Sequence, residues 1–292
     1  MPAVERLDPS PHDIVDELES TLKSDYTEAP RTSLSRQGLW VGAMIAEGRG
    51  FIAAKIVGVF PENPARGLPL VRGRLLLLDA ETGERLLEWP AEDPTAWRTA
   101  AATALALKHL GFKGGGVLGI IGAGVQARVH AQFLTHLFGF DEVLVASRTW
   151  EKARALASLY GGMAVERREL LSKSDVVVAA TTSNEPVVEG ELLKSGAYVA
   201  SVGAPRPVRE LDDKVKSRAR CVVVDSPIAG EESDDARGVE SILLSDLVRG
   251  GASCGFGDIR VYKSVGTPVL DLAAAIYIYR TLGSHGQRED QH

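Results

Sequence analysis

The chain has 292 residues, 45% of them hydrophobic and 25% charged, with a net charge of −6. These are the proportions of a globular protein long enough for two domains, and the acidic balance without a dense basic cluster excludes a polyanion-binding surface, so no nucleic-acid partner is expected. No apolar run is long enough to span a bilayer and the N-terminus lacks a basic-then-apolar signal pattern, so no membrane partner is expected and the expected compartment is the cytoplasm. Cys221 and Cys254 lack metal-ligand spacing and form no disulfide framework, which suits a reducing compartment and argues against a structural zinc site.

In chain order, a helix is expected over Pro11–Ser24. From Trp40 to Leu87 come short β-rich runs, W-V-G-A-M-I, F-I-A-A-K-I-V-G-V-F and G-R-L-L-L-L-D, separated by E-G-R-G, P-E-N-P-A-R-G and A-E-T-G-E. That spacing predicts an antiparallel sheet or meander. Asp93-Pro94-Thr95 offers a helix start, and Ala96–Leu110 is alanine-rich with helical periodicity. From about Gly115 the pattern changes. V-L-G-I-I-G, E-V-L-V-A-S, M-A-V-E, D-V-V-V-A-A-T, Y-V-A-S-V-G and C-V-V-V-D follow one another, with helical segments at Thr149–Tyr160 and Arg168–Lys173 among them. Near-continuous Val/Ala/Ile runs alternating with helices predict a parallel sheet covered on both faces. V-Y-K-S-V-G-T then leads into the helical D-L-A-A-A-I-Y-I-Y-R, which is expected to pack back on the first domain, and Gly283–His292 is polar and expected to fray. The expected class is α/β, with a Rossmann dinucleotide-binding domain over residues 113–267 inserted into an α+β domain made of residues 1–112 and 268–292.

The first apolar run of the inserted half carries the spacing G-x-G-x-x-A at Gly122, Gly124 and Ala127, within V-L-G-I-I-G-A-G-V-Q-A, and an amphipathic helical pattern follows from Arg128 through Leu137. Gly122 allows the tight turn, Gly124 lets a pyrophosphate approach the backbone, and Ala127 lets helix and strand pack closely. The helix N-terminus, with Val125 and Gln126, offers free N–H groups to the phosphates. Redox chemistry on a nicotinamide cofactor is therefore expected. The second strand ends in Ser147-Arg148-Thr149, where an NAD enzyme usually places Asp or Glu about 20 residues past the glycines. Arg148 meets a 2′-phosphate with a charge-assisted fork flanked by two hydroxyls, so NADP(H) is favoured over NAD(H); the alternative is a solvated surface arginine. Further cofactor contacts are expected at later strand ends, from Thr181, Thr182, Val202, Gly203, Ser264 and Gly266. A Thr or Ser at such a place is otherwise a helix cap.

The first half offers three cations in apolar settings: Arg31 in E-A-P-R-T, Lys55 alone in F-I-A-A-K-I-V-G-V-F, and Arg98 on the helix T-A-W-R-T-A-A-A-T-A-L-A. A cation there is costly unless it is paired or belongs to a site. The plainer alternatives are that Lys55 points out of a half-exposed strand and that Arg98 snorkels. With these pieces the chain resembles the ornithine cyclodeaminase/mu-crystallin family, which includes archaeal-type alanine dehydrogenase and ketimine or pyrroline-carboxylate reductases. The matching segments are Pro30-Arg31, K-I-V-G-V-F-P-E-N-P at Lys55–Pro64, L-L-L-L-D-A-E-T-G-E at Leu75–Glu84 and T-A-W-R-T-A-A-A at Thr95–Ala102. They continue with I-G-A-G-V-Q-A at Ile121–Ala127, R-E-L-D at Arg209–Asp212 and K-S-V-G-T-P-V-L-D at Lys263–Asp271. The resemblance implies a homodimer built through the β-rich substrate and dimerisation domain, with the active site between domains. It implies that Arg31, Lys55 and Arg98 line the substrate pocket: Arg98 first, and Arg31 second, to grip a carboxylate, and Lys55 as general acid/base. It also brings Thr99 to the cofactor's pyrophosphate.

Two departures bear on the expected reaction. Cyclodeaminases carry a carboxylate in the loop that here reads V-G-A-P-R-P-V-R-E-L, where Ala204 or Pro205 stands, and an acidic residue two before a methionine, where Gly42 stands before Met44. The expected activity is thus NAD(P)H-dependent oxidoreduction at a C–N bond. The substrates would be a cyclic ketimine such as pyrroline-2-carboxylate, or a small 2-oxo acid aminated reductively, as in an alanine dehydrogenase. The alternatives are ornithine cyclodeaminase proper, and a non-catalytic protein holding NADPH and a small ligand. Arg206 adds a charge at the pocket mouth or is a surface arginine.

Overall fold

The computed structural model describes residues 7–36, 38–204, 206–251 and 254–289. Contacts divide the chain into two compact units, Met1–Arg98 with Thr267–His292, and Thr99–Gly266. The first opens with α1 (Pro11–Lys23), capped by Ser10, whose Ile14, Val15, Leu18 and Leu22 form one buried stripe at helical spacing. Six strands follow: β1 (Tyr26–Glu28), β2 (Thr32–Arg36), β3 (Leu39–Gly48), β4 (Phe51–Val59), β5 (Val71–Asp79) and β6 (Arg85–Pro90). They form one antiparallel sheet in the order β1-β3-β4-β5-β6, with β2 also on β3. β1 and β2 lie end to end along one edge of β3, with Glu28 opposite Ala46 and Thr32 opposite Ala43. Pro30 interrupts this edge because it has no N–H for the ladder. The extra residue in the break sets Arg31 at the level of Met44, which itself pairs with Lys55 on β4. α2 (Glu92–His109) runs from the first unit into the second.

The second unit is β7 (Val117–Ile121), α3 (Val125–Phe138), β8 (Glu142–Ala146), α4 (Trp150–Ser158), β9 (Met163–Ala164), α5 (Arg167–Lys173) and β10 (Val176–Ala179). It continues with β11 (Tyr198–Ser201), α6 (Asp213–Ala219), β12 (Cys221–Val224), α7 (Ala229–Glu232), β13 (Glu240–Leu243), α8 (Leu244–Val248) and β14 (Arg260–Lys263). The strands make one parallel sheet, ordered β13-β12-β14-β11-β10-β7-β8-β9. β10 and β12 are buried at every position, which is why these segments read as unbroken Val/Ala runs rather than alternating ones. The chain winds outward from β7 through β8 to β9 and then crosses to β10 on the other side of β7. The topological switch of the sheet, where open α/β sheets bind ligands, thus lies between the ends of β7 and β10.

The final helix, α9 (Pro268–Glu289), closes the first unit by packing on α1 and across β3, β4 and β5. Glu28 of β1 fixes its start, accepting from Thr267 Oγ1 (2.6 Å) and from the Val269 amide (2.7 Å), which answers donors that a helix N-terminus leaves open. The polar tail from Gly283 is helical as far as Glu289, and residues 290–292 of the stretch expected to fray lie outside the described residues. Isolated glycines cost a helix only about 1 kcal/mol each, and no proline stops this one. Among the described residues no helix is long and apolar enough to cross a membrane.

The reading of the cysteines is also corrected. Cys221 and Cys254 form a disulfide, with Cα atoms 6.2 Å apart. β14 is inserted beside β12 and runs parallel to it, so the segment entering β14 returns to the start of β12, where Cys221 sits. Sequence spacing does not reveal that return, and the pair lends no support to a reducing compartment. The bridge spans a sequence separation of 33 residues, and its reduction is expected to cost about 3–4 kcal/mol on the chain-entropy account. Urea unfolding with and without reductant measures this. Coincident midpoints would show that the bridge contributes nothing.

Candidate active site

Period-two alternation on β4 turns Ala53, Lys55 and Val57 to the covered face of the sheet, while Ile56, 60% exposed, faces away. Lys55 is only 1% exposed. Its Nζ lies 2.6 Å from Asp271 Oδ1, in the first turn of α9, and Arg98 Nε of α2 lies 3.2 Å from the same oxygen. The other carboxylate oxygen, Oδ2, is buried and has no hydrogen-bond partner among the described residues. Burial brings the Lys55 ammonium down from 10.5 to about 8; Asp271 opposes the fall, and the charges of Arg98 and Arg31 add to it. The structure therefore brings Arg31, Lys55 and Arg98 into one electrostatic centre. It adds Asp271, which the sequence reading passed over. The available signal was that Asp271 is the sole charge in P-V-L-D-L-A-A-A-I-Y-I-Y, and a first-turn aspartate is ordinarily explained by the helix dipole alone.

Gly42 lies on the same face of the sheet as Lys55, since it pairs with Val57 and its neighbour Met44 pairs with Lys55. A Cβ built on Gly42 would stand 2.5 Å from the ring of Trp40. The indole thus lies directly over the bare backbone at the position where cyclodeaminases carry an acidic side chain. Ala204 is exposed, and Pro205 lies outside the described residues. Arg206 pairs with Asp234 at 3.0 Å, as a surface arginine does.

In the second unit, the nucleotide motif fits its geometry. Gly122 has φ +119° and a Cβ there would meet the Ala180 carbonyl at 2.4 Å, so only glycine serves. Gly124 caps α3, and a Cβ there would touch nothing within 4 Å, leaving its backbone open to approach. Val125 and Gln126 form the first turn of α3, with Val125 65% exposed, and Ala127 is fully buried. Thr99 is buried on α2. Ser147 is half-buried past the end of β8, and Arg148 and Thr149 are exposed. A helix N-terminus and an open glycine are what a dinucleotide pyrophosphate requires. Among the described residues no group of His, Cys, Asp and Glu is arranged to hold a metal ion.

Past β10, Thr181 is half-buried and Thr182 exposed, while Val202 and Gly203 follow β11. Ser264 and Gly266 follow β14, but their donors already serve Asp225, which accepts from Ser264 Oγ (2.6 Å) and from the amides of Val265 and Gly266 (both 2.9 Å). These two residues are thus first of all tied to the strand end. Thr181 and Gly203 are held by a buried cluster absent from the sequence reading, made of Glu210, Asp235, Ser201 and Lys263. Burial pushes the Glu210 carboxyl up, against the pull of Lys263 and of the amides it accepts from.

Comparison with known proteins agrees with this geometry. The family model for the ornithine cyclodeaminase/mu-crystallin family matches residues 9–286. Ketimine reductase mu-crystallin of Rattus norvegicus is 35% identical over 240 residues, covering 80% of this chain and 77% of the relative. Alanine dehydrogenase of Archaeoglobus fulgidus is 32% identical over 253 residues, covering 81% of this chain and 79% of the relative. The solved structure of Thermococcus litoralis Delta(1)-pyrroline-2-carboxylate reductase, in complex with NADH and L-proline, superposes with a TM-score of 0.86 at 30% identity, covering 95% of each chain. This chain belongs to the ornithine cyclodeaminase/mu-crystallin family.

Proposed function

We propose that this protein is an NAD(P)H-dependent oxidoreductase acting at a C–N bond. Its substrate is a cyclic ketimine of the pyrroline-2-carboxylate type or, in the same chemistry, a small 2-oxo acid with ammonia. The observation that carries this reading is the buried Lys55–Asp271–Arg98 group, with Lys55 brought down to about 8 and one Asp271 oxygen still able to accept. A reduced nicotinamide, when bound, supplies the hydride for the α-carbon. The chain supplies the rest. The Lys55 ammonium gives a proton to the nitrogen as the C=N bond is reduced. Asp271 Oδ1 holds Lys55 in place, and Oδ2 accepts from the N–H that this proton creates. Arg98 and Arg31 grip the carboxylate through their terminal nitrogens.

Relatives support the coarse activity, since they include a ketimine reductase and an alanine dehydrogenase. Trp40 over Gly42 supports the choice among substrates. It offers an apolar wall in place of an acidic side chain, which suits a carbon ring better than a free side-chain amine. Cyclodeamination of ornithine therefore has less support. The strand-end Arg148 favours NADP(H). Leu34, Ile45 and Ile56, all exposed on the sheet face opposite Lys55, suit a homodimer through the β-rich unit. A cytoplasmic location rests on this metabolic reading alone.

Assays of NADPH and NADH oxidation with pyrroline-2-carboxylate, and with pyruvate plus ammonia, test the proposal. Turnover is expected with at least one substrate, and Lys55→Met is expected to lower kcat/KM by about 100- to 10,000-fold. No turnover by the wild type, or full activity in the variant, contradicts it. In the same assays Arg148→Ala is expected to raise the KM for NADPH by about tenfold while leaving that for NADH unchanged, since only NADPH carries the 2′-phosphate for the fork. Equal effects on both cofactors would remove Arg148 from the specificity account.

A further inference from the structure

Two charged residues of the matching segments R-E-L-D and K-S-V-G have no part in the chemistry above, yet both are wholly buried: Glu210 and Lys263 are each 0% exposed. Glu210 reaches both strand ends beside the topological switch. One oxygen accepts from the Thr181 amide (2.6 Å) and from Thr181 Oγ1 (2.8 Å). The other accepts from the Gly203 amide (2.8 Å) and lies 2.8 Å from Ser201 Oγ. Lys263 Nζ donates to the Gly203 carbonyl (2.6 Å) and to Ser201 Oγ (2.9 Å), and sits 3.2 Å from Asp235 Oδ2. Gly203 is thus gripped at both its N–H and its C=O. A side chain there has no room, since a Cβ would lie 2.7 Å from the Glu210 carboxyl carbon.

Ser201 Oγ lies near Lys263 Nζ, Glu210 Oε2 and Asp235 Oδ2 (2.9, 2.8 and 3.0 Å). With Lys263 donating to it, the Ser201 hydroxyl turns its single hydrogen toward the two carboxylate oxygens. Asp235, beside Lys263, also accepts from the Glu210 and Leu211 amides. Both Glu210 oxygens accept a backbone N–H each. Glutamine cannot replace it, because its amide nitrogen would face one of those donors.

We infer that Glu210 is a positioning residue for the nicotinamide half of the dinucleotide, acting through the Thr181 and Gly203 backbones. The inference rests on the dinucleotide reading of this unit. β7 and β8 end in the glycine turn and Arg148, which serve the pyrophosphate and the adenosine ribose. β10 and β11 lie across the switch, where the other half of a dinucleotide falls, and these are the two strand ends Glu210 holds.

Calorimetric titration of the full-length wild type, Glu210→Gln and Thr181→Val separates the halves. The probes are NADPH with 2′,5′-ADP, and NADH with ADP-ribose; each second member lacks the nicotinamide. Glu210→Gln is expected to raise the Kd of the whole dinucleotide about tenfold and to leave the fragment unchanged. Thr181→Val, which removes one hydroxyl donor and disturbs folding least, is expected to show a smaller loss with the same selectivity. Should Glu210→Gln lose its thermal unfolding transition, Thr181→Val decides alone. Fragment and dinucleotide weakening together, or neither changing, overturns the role of Glu210. A wild type that binds neither NADPH nor NADH overturns the dinucleotide reading itself, and this inference with it.

Discussion

An ammonium group taken out of water must be answered by a carboxylate, and in the first unit that demand joins three elements far apart in sequence. Lys55 comes from the middle of a sheet, Arg98 from the helix that follows it, and Asp271 from the start of the last helix. Removing one member of such a buried group leaves an uncompensated charge that costs several kcal/mol, roughly 3–5 in measured cases. The placement of α9 is accordingly tight. Glu28 fixes its first turn from the sheet edge, and the same edge, broken at Pro30, delivers Arg31. Asp271 Oδ1 serves both Lys55 and Arg98, while Oδ2 has no hydrogen-bond partner among the described residues. On the proposed reaction, the imine nitrogen takes its proton from Lys55, and the N–H so formed meets Asp271 Oδ2.

The second unit meets the same constraint differently. Lys263 is as buried as Lys55, but its three acceptors leave it fully satisfied. The first lysine is the one proposed for chemistry, and the second is fully partnered. Their difference lies in the partners: Asp271 keeps an oxygen without a partner among the described residues, whereas the carboxyls around Lys263 are saturated by backbone amides. Buried polar groups that are completely satisfied specify one geometry, and here that geometry belongs to two strand ends beside the sheet's switch.

Much of this was legible in the sequence because it depends on local periodicity. The Val/Ala runs announce parallel strands, the glycine spacing announces the turn after β7, and Lys55 and Arg98 stand out because a charge in an apolar strand or helix has no local explanation. What stayed hidden has a local explanation that conceals a distant one. Asp271 passes for a helix-dipole residue and Glu210 for a loop acid. Trp40 reads as one more apolar strand residue, though its ring covers Gly42. The Cys221–Cys254 bridge depends on β14 returning beside β12, a fact of topology rather than of spacing.

The central claim is that Lys55 moves the proton while Asp271 governs its affinity for that proton. The pH dependence of kcat/KM, compared between wild type and Asp271→Asn, tests it most directly. With Lys55 at about 8, the ammonium needed for reduction is present below that value, so imine reduction should fall as pH rises through it, and amine oxidation should rise over the same range. Asp271 raises the affinity of Lys55 for its proton, so the asparagine variant should shift the wild-type midpoint to lower pH in both directions of reaction. A midpoint that does not move in the variant, or a rate indifferent to pH across this range, would contradict the account.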